Sequence, residues 1–299
     1  MEVISIIIPI NKRFDLLKNQ IDSLSKNYYV LEIIVVLNNA DMTISEVNKM
    51  FENYHKVRIL ECKTGYANSA RKHGVDNANG KYIVFSDADD YYENQGLKIL
   101  LEEINQGFDF VQGEIGLVRD GNLKNWHRPI SNTTLSNRKD ILKNSKIIRP
   151  NFYGKIFRKS AMIPSDKVFL DLKITQDWNA IYKLCYNFNS AKIIRTRVYI
   201  HVVHPDTITQ NKDLENYYIT ESSRGLRDLL NFCDCNGAGL KEEKAYSKEI
   251  MLRFLVNTIR VCLLNGIDYR SLKLSSYNLT INNWRAMYLY WMRFKLLFK

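Results

Sequence analysis

Apolar runs and helical stripes alternate over the first hundred residues. Residues 3–8 form a nearly unbroken β-branched run closed by Pro9, the pattern of a strand enclosed on both faces. Residues 12–27 follow, with Phe14, Leu16, Leu17, Ile21 and Leu24 at roughly helical spacing. Residues 31–37 (LEIIVVL) predict a second enclosed strand, stopped by the turn formers Asn38 and Asn39. A helical stripe over 44–51, a short strand over 57–61 and a turn and helix over 64–79 come next. Residues 81–86 (KYIVFS) predict a fourth strand that runs straight into Asp87-Ala88-Asp89-Asp90. This alternation predicts a parallel sheet with helices on both faces. Ligands in such sheets bind at the carboxyl ends of the strands.

Beyond residue 100 the alternation loosens. Residues 108–118, Asp120-Gly121 and 123–127 predict a hairpin with a DG turn. A helix is expected over 177–187 and a strand over 193–203, while 129–150 carries no clear pattern. From about residue 214 the chain reads as mainly helical. The domains expected are a catalytic unit over 1–213, divided near residue 100 into a donor half and an acceptor half, and a helical region over 214–299.

Composition narrows the class. With 45% apolar and 25% charged residues in 299, the chain has material for a core, and disorder is excluded as its main state. No run of about 18 uncharged apolar residues appears, so no membrane span is expected. Neither the basic start nor the cleavage site of a leader is present, and the five cysteines are scattered. A cytoplasmic protein is expected. The net charge of +11 points to a polyanionic partner: nucleic acid, an anionic membrane or phosphate-bearing ligands.

Asp87, Asp89 and Asp90 stand within four residues at the end of a predicted strand. Carboxylates this close repel one another and call for a cation. A Mg²⁺ or Mn²⁺ ion that also takes diphosphate oxygens fits the donor set. The ordinary alternative is an acidic turn that caps the next helix.

The stretch from Gly65 to Tyr91 resembles the nucleotide-binding half of family 2 glycosyltransferases. The resemblance extends over residues 3–210. It rests on Ile7-Ile8-Pro9 with Asn11, then Asn68, Ala70-Arg71, Ala78-x-Gly80-Lys81-Tyr82-Ile83 and the Asp87-Ala88-Asp89-Asp90 run. It implies the GT-A fold, a Rossmann-like, mostly parallel sheet flanked by helices, here with a C-terminal helical extension. It also implies an inverting transfer from a nucleotide-sugar, by default a UDP-sugar. By the same resemblance Pro9, Asn11, Asn38, Arg71, Asp87 and Asp89 contact the donor nucleotide, and Asp89 is the metal ligand. The family commonly has two acidic residues after its second strand, where this chain has Leu37-Asn38. Asn38 still offers a carbonyl and an amide to a base edge.

Inverting transfer needs a carboxylate to accept the acceptor's proton. Thr175-Gln176-Asp177-Trp178 resembles the family's E-D-W segment, which implies Asp177 as the base, with Gln176 replacing the usual Glu. The alternative role for Asp177 is a helix cap with Trp178 in the core. Residues 151–159 (NFYGKIFRK) resemble another family element, so Lys155 and Arg158 are candidates to face phosphate. Trp178 and Trp126 (with His127) are candidates to line the acceptor. Residues 199–210 resemble the family's closing segment, which makes His204 a candidate for metal or diphosphate. His201, three residues earlier, would point to the other face of a regular strand.

The last sixteen residues (WRAMYLYWMRFKLLFK) place Trp284, Met287, Tyr290, Trp291, Phe294, Leu297 and Phe298 within an uncharged helical arc of roughly 140°. Arg285, Arg293, Lys295 and Lys299 lie outside it. Such a helix suits an anionic membrane surface, or alternatively docks on its own core. The expected protein is therefore a glycosyltransferase of surface polysaccharide or lipooligosaccharide synthesis. It would use Mn²⁺ or Mg²⁺ and a glycan or lipid-linked acceptor, as a peripheral protein at the inner face of the cell membrane. Two other classes fit less well: a non-catalytic sugar-nucleotide binder, and a nucleic-acid-binding protein, whose motifs are absent.

Overall fold

Over the first hundred residues strands and helices alternate as β1 (Ile4–Ile10), α1 (Phe14–Leu24), β2 (Val30–Asn38), α2 (Ile44–Met50), β3 (Val57–Cys62), α3 (Ala67–Asn77) and β4 (Tyr82–Phe85). A two-residue β5 (Tyr91–Tyr92) and α4 (Gly96–Ile104) close this part. Then come β6 (Phe110–Arg119), β7 (Asn122–Asn125), β8 (Thr133–Leu135), α5 (Arg138–Lys143), β9 (Lys155–Arg158), α6 (Ser165–Val168), α7 (Gln176–Asn187), β10 (Ala191–Val202) and α8 (Glu215–Asn236). The structure is a computed structural model that describes residues 3–125, 131–162, 165–204 and 215–236. Trp126, His127 and the tail over 284–299 lie outside the described residues.

The strands join in one sheet, ordered β3-β2-β1-β4-β9-β6-β10-β5, with β7 beside β6 and β8 beside β10. β1 pairs in parallel with β2 and β4, and β2 with β3. Pro9 sits inside β1 opposite Val36. Its missing N–H is tolerated because pairing with β4 has already ended at Ile7–Phe85. The sheet is mixed: β9 is inserted antiparallel between β4 and β6. Because β9 runs against both neighbours, β4 and β6 point the same way, and β10 is parallel to β6. The carboxyl ends of β1, β2, β4, β6 and β10 thus share one edge.

Both faces of the sheet are covered. Ile4, Ile6, Ile8 and Ile10 of β1 pack with Leu17 and Ile21 of α1, Val47 of α2 and Leu100 of α4. Ile7 faces the other way, with Ala70 and Val75 of α3 and Ala180, Ile181 and Leu184 of α7. This two-sided burial is why β1 and β2 read as continuous apolar runs, not as alternating ones.

Three local features set the corners. Thr43 and Glu46 form a reciprocal capping box on α2. Asp120 and Gly121 both adopt positive φ, 51° and 74°, the type I′ turn that the DG pair favours. At Gly80 a Cβ would lie 2.6 Å from the Ser5 backbone nitrogen, so only glycine lets the α3–β4 turn close onto β1.

Beneath that turn Glu32 is nearly enclosed. It accepts hydrogen bonds from Ser5 Oγ (2.6 Å), the Asn79 amide (2.6 Å) and Asn79 Nδ2 (3.2 Å), and it pairs with Arg58. At the far side α8 docks on α7. Lys183, almost fully buried, pairs with Asp228 at 2.5 Å, and Asn179 Nδ2 donates to the Gly225 carbonyl at 2.9 Å.

Candidate active site

The acidic turn follows β4 on the shared carboxyl edge. Asp90 N–H donates to the Asp87 carbonyl at 3.2 Å, which closes the turn. Gln20 of α1, itself buried, holds it from below: Nε2 lies 2.9 Å from the Asp87 carbonyl and 2.8 Å from that of Asp90.

Asp90 faces inward and caps no helix. Its carboxylate accepts from the Tyr199 hydroxyl (2.9 Å) and the Val202 amide (2.8 Å), and His201 Nδ1 lies 3.0 Å away. The Tyr199 hydroxyl in turn accepts from the Asp87 amide at 3.1 Å. Asp90 therefore ties the turn to β10. Burial disfavours charge on His201, but the Asp90 carboxylate outweighs it and raises the imidazole above its usual range.

Asp87 and Asp89 are left partly open to solvent on the shared carboxyl edge, the candidate donor cleft. Desolvation and the negative charge of Asp90 push Asp87 up to about 7, with Arg71 opposing. This is a carboxylate short of cations.

Arg71 projects from α3 beneath the cleft, with 6% of its side chain exposed. Nη1 lies 2.9 Å from Asp177 Oδ1 and 3.2 Å from Asn68 Oδ1, and Nη2 lies 3.8 Å from Asp87 Oδ1. The guanidinium sits over the Phe152 ring at 5.0 Å. Fully enclosed Asn68 directs its amide to the carbonyls of Leu170 (2.9 Å) and Gln176 (3.3 Å), which moors the start of α7. Asp177 lies in the first turn of α7, and Thr175, at φ 58°, is the capping residue. The alternative role of Asp177 as a cap is thereby set aside.

The loop after β1 brings a residue that sequence reasoning missed. Arg13, at φ 70° and ψ 47°, places Nη2 3.1 Å from His204 Nδ1 and Nη1 3.9 Å from Asp89 Oδ2. His204 Nε2 is 3.7 Å from the same Asp89 oxygen. β10 ends at Val202, so His201 and His204 are not related by strand geometry: one reaches Asp90, the other Asp89. Arg13's unusual backbone is visible only in three dimensions.

Other candidates fall in different places. Asn38 ends β2 on the shared edge, buried, opposite Cys62 of β3. The Asn11 carbonyl accepts from the Asp41 amide at 3.0 Å, which joins the loops after β1 and β2. Lys155 is fully enclosed at the start of β9, its ammonium capped by the Asn151 carbonyl, and does not present a charge to the cleft. Arg158 is corrected outright. Antiparallel β9 carries it to the opposite edge, level with Tyr82, where it binds the Phe108 carbonyl. Trp178 packs edge-on to Tyr182 at 5.8 Å, against the cluster that α8 covers.

Known proteins share parts of this sequence and its fold. Residues 5–163 match the family model described as glycosyl transferase family 2. An uncharacterized glycosyltransferase of Escherichia coli K12 is 36% identical over 89 residues, 29% of this chain and 26% of its own. The GalNAc(5)-diNAcBac-PP-undecaprenol beta-1,3-glucosyltransferase of Campylobacter jejuni is 28% identical over 170 residues, 54% of this chain and 53% of its own. The chain thus spans about half or less of the length of these relatives. In structure it resembles residues 1–349 of S. aureus TarS in complex with UDP. The TM-score is 0.67 at 18% identity, over 99% of this chain and 89% of that one. That likeness establishes a shared fold, the GT-A arrangement expected from the motifs.

Proposed function

The chain belongs to glycosyltransferase family 2, and from that premise we propose that it is an inverting transferase with Asp177 as general base. The supporting observation is the Arg71 bridge, which holds Asp177 2.9 Å from one guanidinium nitrogen and Asp87 3.8 Å from the other. A base on α7 and an acidic donor turn on β4 then face one cleft.

In this reading the donor is a UDP-hexose or UDP-N-acetylhexosamine. Pro9, Asn11 and Asn38 line the nucleoside end, and Asp87 faces the ribose. The acceptor hydroxyl oxygen attacks C1 of the sugar and its proton passes to Asp177, while the bond from C1 to the diphosphate oxygen breaks and UDP leaves. Arg71 orients Asp177 for that transfer. Asp89, with an accessible carboxylate at the cleft, is the residue that would hold Mg²⁺ or Mn²⁺. A bound ion would supply charge stabilisation to the departing diphosphate. Asp87, raised by burial and by neighbouring negative charge, fits such a cation, although among the described residues no three His, Cys, Asp or Glu side chains converge on one point.

A glycan or lipid-linked glycan of surface polysaccharide or lipooligosaccharide synthesis is the acceptor in this proposal. The amphipathic pattern over 284–299 supports attachment at the inner face of the cell membrane. Among the described residues no helix is long and apolar enough to cross a membrane.

The test is to incubate the full chain with Mn²⁺ and a panel of nucleotide-sugars and measure nucleoside diphosphate release, with and without lipid-linked acceptors. Release from one uridine donor, rising with acceptor, is expected. No release and no thermal shift with any donor would overturn the reading.

A further inference from the structure

The turn that carries Asp177 lacks a cap of its own. α7 starts behind Thr175, whose φ of 58° is left-handed and whose hydroxyl turns back to the Ile174 carbonyl at 2.7 Å. Thr175 therefore offers no side-chain bond to the first amides of α7. A first turn without such a bond is the part of a helix that frays most readily. Asn68 and Arg71 of α3 hold this turn from the cleft side.

α8 holds it from the other side. Glu221 Oε2 accepts from the Lys173 amide at 2.8 Å, just ahead of the capping position. Asn179, fully enclosed, directs Nδ2 to the Gly225 carbonyl and to Asp228 Oδ2, both at 2.9 Å. The same Asp228 oxygen pairs with almost fully buried Lys183 at 2.5 Å. Asn179 and Lys183 stand at i and i+4, so they share one face of α7. Asp177 lies roughly 200° around the helix from Asn179, at about 100° per residue, and so projects away from α8. Apolar packing alone tolerates small slips between helices. Buried polar contacts do not, because each has a direction and a slip would leave an enclosed amide and an ammonium unpaired.

We propose that α8 is a clamp on the general base: Glu221, Asn179 and Asp228 are positioning residues that fix the first turn of α7 and with it the Asp177 carboxylate. The inference rests on the reading of Asp177 as base. The clamp acts on the transfer step and not on donor binding, since none of its contacts touches the acidic turn. A carboxylate displaced by about 1 Å slows transfer by up to about 10²-fold, because the proton must move along a short, aligned path.

The experiment uses the full chain. Glu221→Ala removes one tie without stranding a buried charge, and Asp228→Asn removes the ion pair while keeping an acceptor. Each should lower kcat on the uridine donor found by the panel above by about tenfold or more, with UDP affinity within about threefold by calorimetry. Glu221→Gln, which keeps the acceptor oxygen, should restore most of kcat. In an Asp177→Asn background Glu221→Ala should lower the residual rate by less than about twofold, because no base is left to misplace. Leu229→Ala thins the apolar contact beside these ties; it should lower the melting temperature and leave kcat within about threefold. Hydrogen exchange over the first turn of α7 should speed up by about tenfold or more in Glu221→Ala and stay unchanged over α3. Wild-type kcat in both Glu221→Ala and Asp228→Asn would overturn the inference. So would an additive loss in the Asp177→Asn background, unaltered exchange in the first turn of α7, or an equal loss of kcat in Leu229→Ala. Undiminished turnover in Asp177→Asn would overturn the base assignment instead, and the clamp with it. Absence of turnover with any donor would overturn the nucleotide-sugar reading itself.

Discussion

Arg71 Nη1 lies 2.9 Å from Asp177 Oδ1, joining the helix that follows β3 to the helix that precedes β10. The contact is nearly closed to solvent on the arginine side. It leaves Asp177 with a cation on one flank and solvent on the other, so that its carboxylate is held in place yet reachable.

Asp177→Asn keeps the shape and removes the proton acceptor. Transfer should drop by about 10²–10⁴-fold, the range for loss of a general base. UDP affinity should stay within about threefold. Single-turnover assays together with calorimetry check this, and a variant with near-normal turnover would remove Asp177 from the mechanism.

The Tyr199 hydroxyl donates to Asp90 and accepts from the Asp87 amide, so it couples β10 to the acidic turn. Tyr199→Phe leaves a buried carboxylate with one donor fewer. A stability loss of about 1–3 kcal/mol is expected, read from urea unfolding, with weaker donor binding. Unchanged stability and affinity would show that Gln20, the Val202 amide and His201 hold the turn without it.

Glu32 reports on pH. Burial pushes its carboxyl up, but bonds from Ser5, the Asn79 amide and Arg58 outweigh burial and hold it below the usual carboxylate range. A carboxylate lowered in the folded state adds stability that is present above its unfolded value, near 4.5. That contribution is lost as pH falls through the folded value. Glu32→Gln should therefore cost about 2 kcal/mol at neutral pH. The gap to wild type should shrink below about pH 4.5. Thermal melts of both proteins across that range decide it; a gap that widens in acid contradicts the assignment.

Lys155 is a cost where Glu32 is a gain, although wild-type stability rises with pH in both cases. Burial, reinforced by the nearby Arg149 cation, lowers it to about 7 from 10.5. Between those values the unfolded chain holds a proton that the folded chain lacks, so the wild type gains stability as pH rises. Lys155→Met should be the more stable protein at pH 6, by about 2 kcal/mol. Its advantage should decline steadily from pH 7 towards 10.5. A constant offset across that window would mean that the ammonium is not the cause.

Much of this molecule is written locally. The enclosed strands β1, β2 and β4 follow from β-branched runs, and the DG hairpin from two residues that accept positive φ. The acidic turn was legible because its three carboxylates stand together where a strand stops. Arg71 and Asp177 were found by motif, and the structure brings them into contact. Strand β9 was not legible. Four residues, KIFR, carry too little periodicity to declare a strand, and its antiparallel direction depends on neighbours distant in sequence.

The chain by itself determined which segments become strands and helices and where acidic groups collect, since backbone preference and burial pattern act over a few residues. Tertiary structure decided what each charge does. Lys155 and Arg158 stand three residues apart, yet one is sealed beneath the cleft edge and the other anchors the opposite end of the sheet. Asp89 and Asp90 are adjacent, yet one faces the cleft and the other is consumed by β10. Arg13, an unremarked cation after β1, meets His204 across 191 positions. Charge acts through distance and solvent exposure, and both are set by packing among residues that sequence spacing does not relate.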